Sequence, residues 1–235
     1  MSRPLLITDC DEVLLHMVVP FAQWVDHAHG IHFDLSRGEF TEALRHKETG
    51  DLIEREAVWP LLEDFFLTQM HRQQAIAGAV AAMREIGKVA DIVVLTNIGP
   101  DFRARRVAQL LAAGIDAPVV GNHGGKGAPL AMILAERKPS VAVFVDDLDV
   151  HHDSVARHAP DVWRLHMVGE PVLAGHIKPA PMAHARIDDW VRATAWILDR
   201  FAEGRPRLDH YRPEHPGPEH PGLDHAASAV LNRAS

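Results

Sequence analysis

Residues 5–14 read LLITDCDEVL. An apolar run of strand length stops at Asp9, and a second carboxylate follows at Asp11. A continuous apolar run, without alternation, is what a strand needs when helices cover both faces of its sheet. Further runs of this kind lie at 91–96 (DIVVLT), at Val119 and Val120, at 141–145 (VAVFV) and, more weakly, at 162–168 (VWRLHMV). Together with 4–8 they predict the strands of a sheet. Helical spacing fills the intervals at 77–86, 101–113, 128–137, 153–158 and 187–201. Strands and helices in alternation predict an α/β fold with a doubly wound parallel sheet.

One interval breaks the alternation. Residues 16–75 are too many for a simple crossover, and they carry helical patterns at 21–29, 36–46 and 52–72. They predict an inserted α-helical cap at 16–75, dividing a core made of 1–15 and 76–201. Within the cap, Trp24 and Phe33 read as core residues, and Arg45, His46 and Lys47 as a solvated face. After residue 201 the composition changes. Residues 204–225 are rich in Pro, Gly and His, PEHPG occurs at 213–217 and again at 218–222, and His210, His215, His220 and His225 recur every five residues. Such composition predicts an extended, solvated tail over 202–235.

Composition narrows the function classes. The 235 residues carry 24 Lys plus Arg against 32 Asp plus Glu, a formal net charge of −8. A nucleic-acid polymer or an anionic membrane surface would call for a basic excess on one face. With 47% hydrophobic residues the chain has material for a folded core. No apolar run approaches the ~18 residues of a membrane span. The single cysteine, Cys10, excludes a disulfide framework and a Cys-rich zinc module, and its acidic neighbours favour an inert, buried thiol. With no leader pattern at the N-terminus, the expectation is a cytoplasmic protein.

The chemistry-bearing residues fall at strand ends or in the loops after them: Asp9 and Asp11, then Thr96 with Asn97, then Lys126, then Asp146 and Asp147. In an open parallel sheet the ligand site lies beyond the carboxyl ends of the strands, so these residues are expected to share one crevice. Carboxylates gathered there supply hard oxygen ligands suited to Mg²⁺, and without a cation they would repel one another. Thr96 and Lys126 can bind the anionic oxygens of a phosphoryl group, whose transfer depends on positioning and charge neutralisation. One carboxylate beside another is a suitable pair for making and breaking an aspartyl phosphate. His16 lies near the expected crevice as a candidate substrate contact. His151 and His152 are expected behind the magnesium ligands, since that ion prefers oxygen. A phosphate-binding P-loop at 120–127 (VGNHGGKG) fails, with Val120 at its first position and Gly127 where Ser or Thr must stand.

These residues resemble the haloacid dehalogenase-like superfamily, in its phosphatase branch with a helical cap. The likeness rests on LLITDCDEVL at 5–14, VVLTN at 93–97, Lys126 after a glycine-containing loop and VFVDD at 143–147, in the family's order. It implies a Rossmann-like core and a Mg²⁺-dependent phosphatase acting on a small phosphorylated metabolite. Asp9 would be the nucleophile, and Asp11 would protonate the leaving oxygen. Thr96, Asn97 and Lys126 would bind the phosphoryl group. The metal would be held by Asp9, the Asp11 backbone carbonyl and Asp146, with Asp147 supporting its waters or pairing with Lys126. Asp11 favours phosphoryl chemistry, because a dehalogenase nucleophile does not need it. Glu12 stands where the family commonly has Gly. A phosphomutase and a non-enzymatic metal-binding regulator of the same fold are the alternatives.

Overall fold

The computed structural model describes residues 2–34 and 43–206. Its centre is a six-stranded sheet of β1 (Leu5–Thr8), β4 (Asp91–Thr96), β5 (Val119–Gly121), β6 (Ala142–Asp146), β7 (Trp163–His166) and β8 (Ala185–Arg186). Their spatial order is β5-β4-β1-β6-β7-β8, and every pairing is parallel. The sheet is therefore the α/β, doubly wound type that the sequence predicts. Two elements are additions. β8 is a two-residue strand, and a one-turn helix at Pro171–Ala174 follows Glu170, whose side chain accepts from the Val172 N–H.

Side chains of β1 alternate between two layers, which explains its unbroken apolar run. Leu6 packs with Val94, Val143, Met83, Leu110, Trp190 and Ile197. Leu5 and Ile7 face the other way, against Val93, Phe144, Leu130, Ile133 and Val155. The first layer is covered by helices Ala79–Gly87, Pro100–Ala113 and Trp190–Glu203, the second by Gly127–Arg137 and Asp149–His158. Each fully buried aliphatic side chain contributes about 1.5–3 kcal/mol.

The insertion forms a cap with its own core. Its helices are α1 (Val18–His29) and α2 (Arg55–Gln69), the latter running into a short 3₁₀ turn at Met70–Arg72. Phe21 is fully buried, at 5.5 Å and 88° from Phe65 and 6.0 Å and 84° from Phe33, edge-to-face arrangements favoured between aromatic rings. Trp24 and Phe33 belong to this core, while His46 and Lys47 are exposed. The helix expected over 36–46 does not extend to residues 44–46. These form β3 (Leu44–His46), antiparallel to β2 (Ile31–Phe33), and pairing with β2 overrides the local helical pattern. Residues 36–42 of that stretch, like the histidine repeat of the tail, lie outside the described residues. The last helix ends at Glu203, two residues beyond the expected end of the core at 201.

Candidate active site

Register places the chemistry. Thr8 lies level with Val94 on one side and Val145 on the other. The ends of three adjacent strands thus present Asp9, Thr96 and Asp146 at one edge of the sheet. The Asp9 N–H donates to the Val145 carbonyl at 2.8 Å, fixing the nucleophile candidate against β6. Lys126 is buried immediately before the helix Gly127–Arg137 and reaches two of the carboxylates. Its Nζ stands 2.7 Å from Asp9 Oδ1 and 2.6 Å from Asp146 Oδ2. Gly127 makes this position available: a Cβ there would sit 2.2 Å from the Ser154 carbonyl oxygen, so only glycine lets the two helices approach. The Gly127 N–H donates to Ser154 Oγ at 2.9 Å.

The carboxylates are crowded. One oxygen each of Asp9, Asp146 and Asp147 lies within 4.8 Å of the others, and all three residues are buried. Burial pushes the Asp147 carboxyl well above the ordinary carboxylate range, with Asp146 and Asp9 adding to the effect. Burial also raises Asp9, opposed by Lys126 and reinforced by Asp146. Burial alone would lower the Lys126 ammonium, but Asp146 and Asp9 outweigh it and hold it above the ordinary lysine value. One ammonium facing three carboxylates leaves negative charge uncompensated. Such a buried, oxygen-only donor set fits a hard divalent cation.

Asp11 has its own set of partners. Its Oδ1 accepts from Gln73 Nε2 at 2.6 Å and its Oδ2 from Arg106 Nη2 at 2.9 Å. Arg106 is fully buried, and Nη1 also donates to Gln73 Oε1 at 3.2 Å. Burial raises the Asp11 carboxyl, and Arg106 pulls it partly back. Any metal contact from Asp11 would thus come through its backbone, because its side-chain oxygens are taken. Sequence reasoning missed Arg106 and Gln73. The available signal was position: Arg106 lies four residues from Phe102 and four from Leu110, on the inward stripe of its helix.

Glu12, at φ 58°, occupies the left-handed region that makes glycine common at such a turn. Its Oε1 accepts from the N–H groups of Met17 at 2.7 Å and Val18 at 2.5 Å, so the side chain caps the first helix of the cap. Burial pushes its carboxyl up to about 7. The two hydrogen bonds accepted by this side chain explain how a non-glycine residue is held in the turn.

Thr96 is buried, and its carbonyl accepts from Asn122 N at 2.9 Å. Asn97 Nδ2 donates to the Gly124 carbonyl at 3.0 Å, while its Oδ1 accepts from Asn122 Nδ2 at 2.8 Å. These bonds join the loop after β4 to the loop that carries Lys126. His152 Nε2 contacts the Asp146 carbonyl at 3.0 Å, and His151 Nε2 lies 3.4 Å from Asn97 Nδ2. Burial lowers these histidines to about 4 and about 3, so both are neutral supports behind the acidic cluster. Cys10 is buried, and burial raises its thiol, consistent with an inert side chain. His16 is turned to Glu170, with Nδ1 2.9 Å from Oε2.

No family model matches the sequence, and no curated protein matches it. Solved structures do. A haloacid dehalogenase-like family hydrolase from Streptococcus pneumoniae superposes with a TM-score of 0.59 at 9% identity, over 83% of this chain and 98% of that one. A HAD-hydrolase from Bacillus subtilis, bound to magnesium, gives 0.54 at 12% identity, over 85% and 100%. A 2-haloacid dehalogenase from Pseudomonas syringae gives 0.51 at 14% identity, over 85% and 99%. The chain has the haloacid dehalogenase-like fold, with a cap inserted between the first and second strands of its parallel sheet in chain order.

Proposed function

We propose that the protein is a Mg²⁺-dependent phosphatase that hydrolyses a small phosphomonoester through an aspartyl-phosphate intermediate. The supporting observation is the pairing of a buried, Lys126-bound Asp9 with a second carboxylate, Asp11, held by Arg106 and Gln73. A dehalogenase-type nucleophile has no use for that second group, because halide leaves without a proton. An ester oxygen leaves as an alcohol and needs one.

In this reading an Asp9 oxygen attacks phosphorus, an Asp9–phosphorus bond forms and the bond to the leaving oxygen breaks. Asp11 gives its proton to that oxygen. It then takes a proton from water, whose oxygen attacks phosphorus and releases Asp9 and inorganic phosphate. Burial of Asp11 favours the proton-carrying form needed first, and Arg106 favours the ionised form needed second. Thr96 and Asn97 flank the phosphoryl group, and Lys126 offsets its charge. Asp9, Asp146 and Asp147 would hold the Mg²⁺, which when bound neutralises the phosphoryl oxygens.

The test is release of inorganic phosphate from a panel of phosphomonoesters with Mg²⁺, alongside an Asp11→Asn variant and a 2-haloacid. Phosphate release that collapses in the variant supports the reading. Halide release with no phosphate release would overturn it, and release only with a bisphosphate activator would assign a phosphomutase instead.

A further inference from the structure

Beside the phosphoryl site lies a cleft between α2 of the cap and the loops after β4 and β5. Trp59, Leu62 and Phe66 form its cap wall, and Ile98 and Phe102 its core wall. Asn97 and Gly124 also line it, next to Thr96 and two residues before Lys126 in the chain, so the cleft adjoins the loops that carry the proposed phosphoryl contacts. Its volume is about 140 Å³. An apolar cavity of roughly 150 Å³ accommodates benzene.

The side chains of the lining are mostly apolar and offer few partners to a hydroxyl group. The amide of Asn97 is already bonded to Gly124 and Asn122. Glu63 and His123 also line the cleft and are exposed, and the indole N–H of half-buried Trp59 adds one donor. A sugar ring pressed against these walls would bury hydroxyls with few partners, which is costly. A flat apolar ring would instead meet aromatic faces. Phe66 and Phe102 are already in ring contact at 6.2 Å, and the Arg106 guanidinium lies 5.6 Å from the Phe66 centroid. The same guanidinium binds Asp11. A ring seated against Phe66 therefore bears on the residue that holds the proton donor.

We infer that the substrate is the phosphate ester of an alcohol carrying one planar, apolar ring of benzene size, with Trp59 and Phe66 as specificity-determining residues. This inference rests on the phosphatase reading for its turnover test and is independent of it for its binding test. Full-length protein with Mg²⁺ would be given benzyl phosphate and glycerol 1-phosphate, both esters of primary alcohols. We expect kcat/KM for the benzyl ester to be higher by about 10–200-fold, the range an apolar pocket can discriminate. Trp59→Ala should lower the benzyl value about tenfold, chiefly through KM, and so narrow the ratio between the two esters. Trp59→Phe should restore much of the loss. Phosphate release from both esters with equal or reversed preference would overturn the inference.

Binding is measured separately with benzylphosphonate and 2,3-dihydroxypropylphosphonate, by calorimetry. Tighter binding of the benzyl compound, lost in Trp59→Ala, supports the substrate class even without turnover. In that event the reaction assignment alone fails. Equal binding of the two phosphonates overturns the ring preference.

Discussion

Around Asp9 the neighbours are charged and buried, fixed by strand register and by a lysine with no freedom to leave. Across the crevice, Trp59, Phe66 and Phe102 are only half-buried, and they come from a cap helix and a core helix. The first region places charges where solvent cannot soften them. The second places apolar faces where a ligand can replace solvent. Under the proposed reaction the difference separates two tasks: the floor would act on the anion, and the wall would select the molecule that delivers it.

The comparison can be broken in graded ways. Asp9→Asn should lower turnover on the order of 10³-fold or more. Its melting temperature in EDTA should be unchanged or higher, because one charge leaves a crowded cluster. Residual activity near the parent value would remove Asp9 as nucleophile. Lys126→Met leaves buried carboxylates unpaired and should destabilise the protein by about 3–5 kcal/mol in urea titrations with EDTA. Added Mg²⁺ should recover part of that loss, and no recovery would count against a cation at the cluster.

Glu12 tests the join between floor and cap. Its folded-state value of about 7 lies above the ordinary 4.5, so the protonated form is favoured on folding. That contribution is fully present below about pH 4.5 and is lost as the pH rises towards 7. Glu12→Gln keeps the acceptor for Met17 and Val18 and should remove up to about 3 kcal/mol of this dependence. Equilibrium unfolding from pH 4.5 to 8 in EDTA would show whether the slope disappears. Because burial and the neighbouring Asp146 and Asp9 favour the protonated form of Asp147, Mg²⁺ binding at the cluster should displace protons. Affinity should then rise by up to about tenfold per pH unit, with proton release visible by calorimetry in two buffers. The smallest effect is expected on the wall, where Trp59→Ala should cost about 1 kcal/mol or less of stability while changing selectivity.

Legibility in the sequence follows the same division. The floor was readable because it is local: each of Asp9, Thr96 and Asp146 ends an apolar run, and the chain order of strands forces those ends together. The strand positions were readable because burial on both faces leaves uninterrupted apolar runs. β8 and β3 were not, since two or three residues carry no periodicity and form only through a partner strand. Arg106 and Gln73 were hidden for a different reason. A buried arginine looks like its exposed neighbours Arg103 and Arg105 until the fold supplies Asp11. The cleft was hidden because its rings come from separate segments. Phe66 registers in the sequence only as one apolar position of a cap helix, and nothing local joins it to Phe102.

The two partners of Asp11 belong to different parts of the molecule. Arg106 is carried by a helix of the core, whereas Gln73 sits on the segment returning from the cap. The carboxylate is thus a joint, with one side anchored and the other attached to whatever the cap does. A tilt of the cap that drew Gln73 away would leave the ion pair intact and remove one neutral donor from the ionised form. Proton affinity at Asp11 would then depend on the posture of the cap, and a shape change would be converted into acidity at a single side chain.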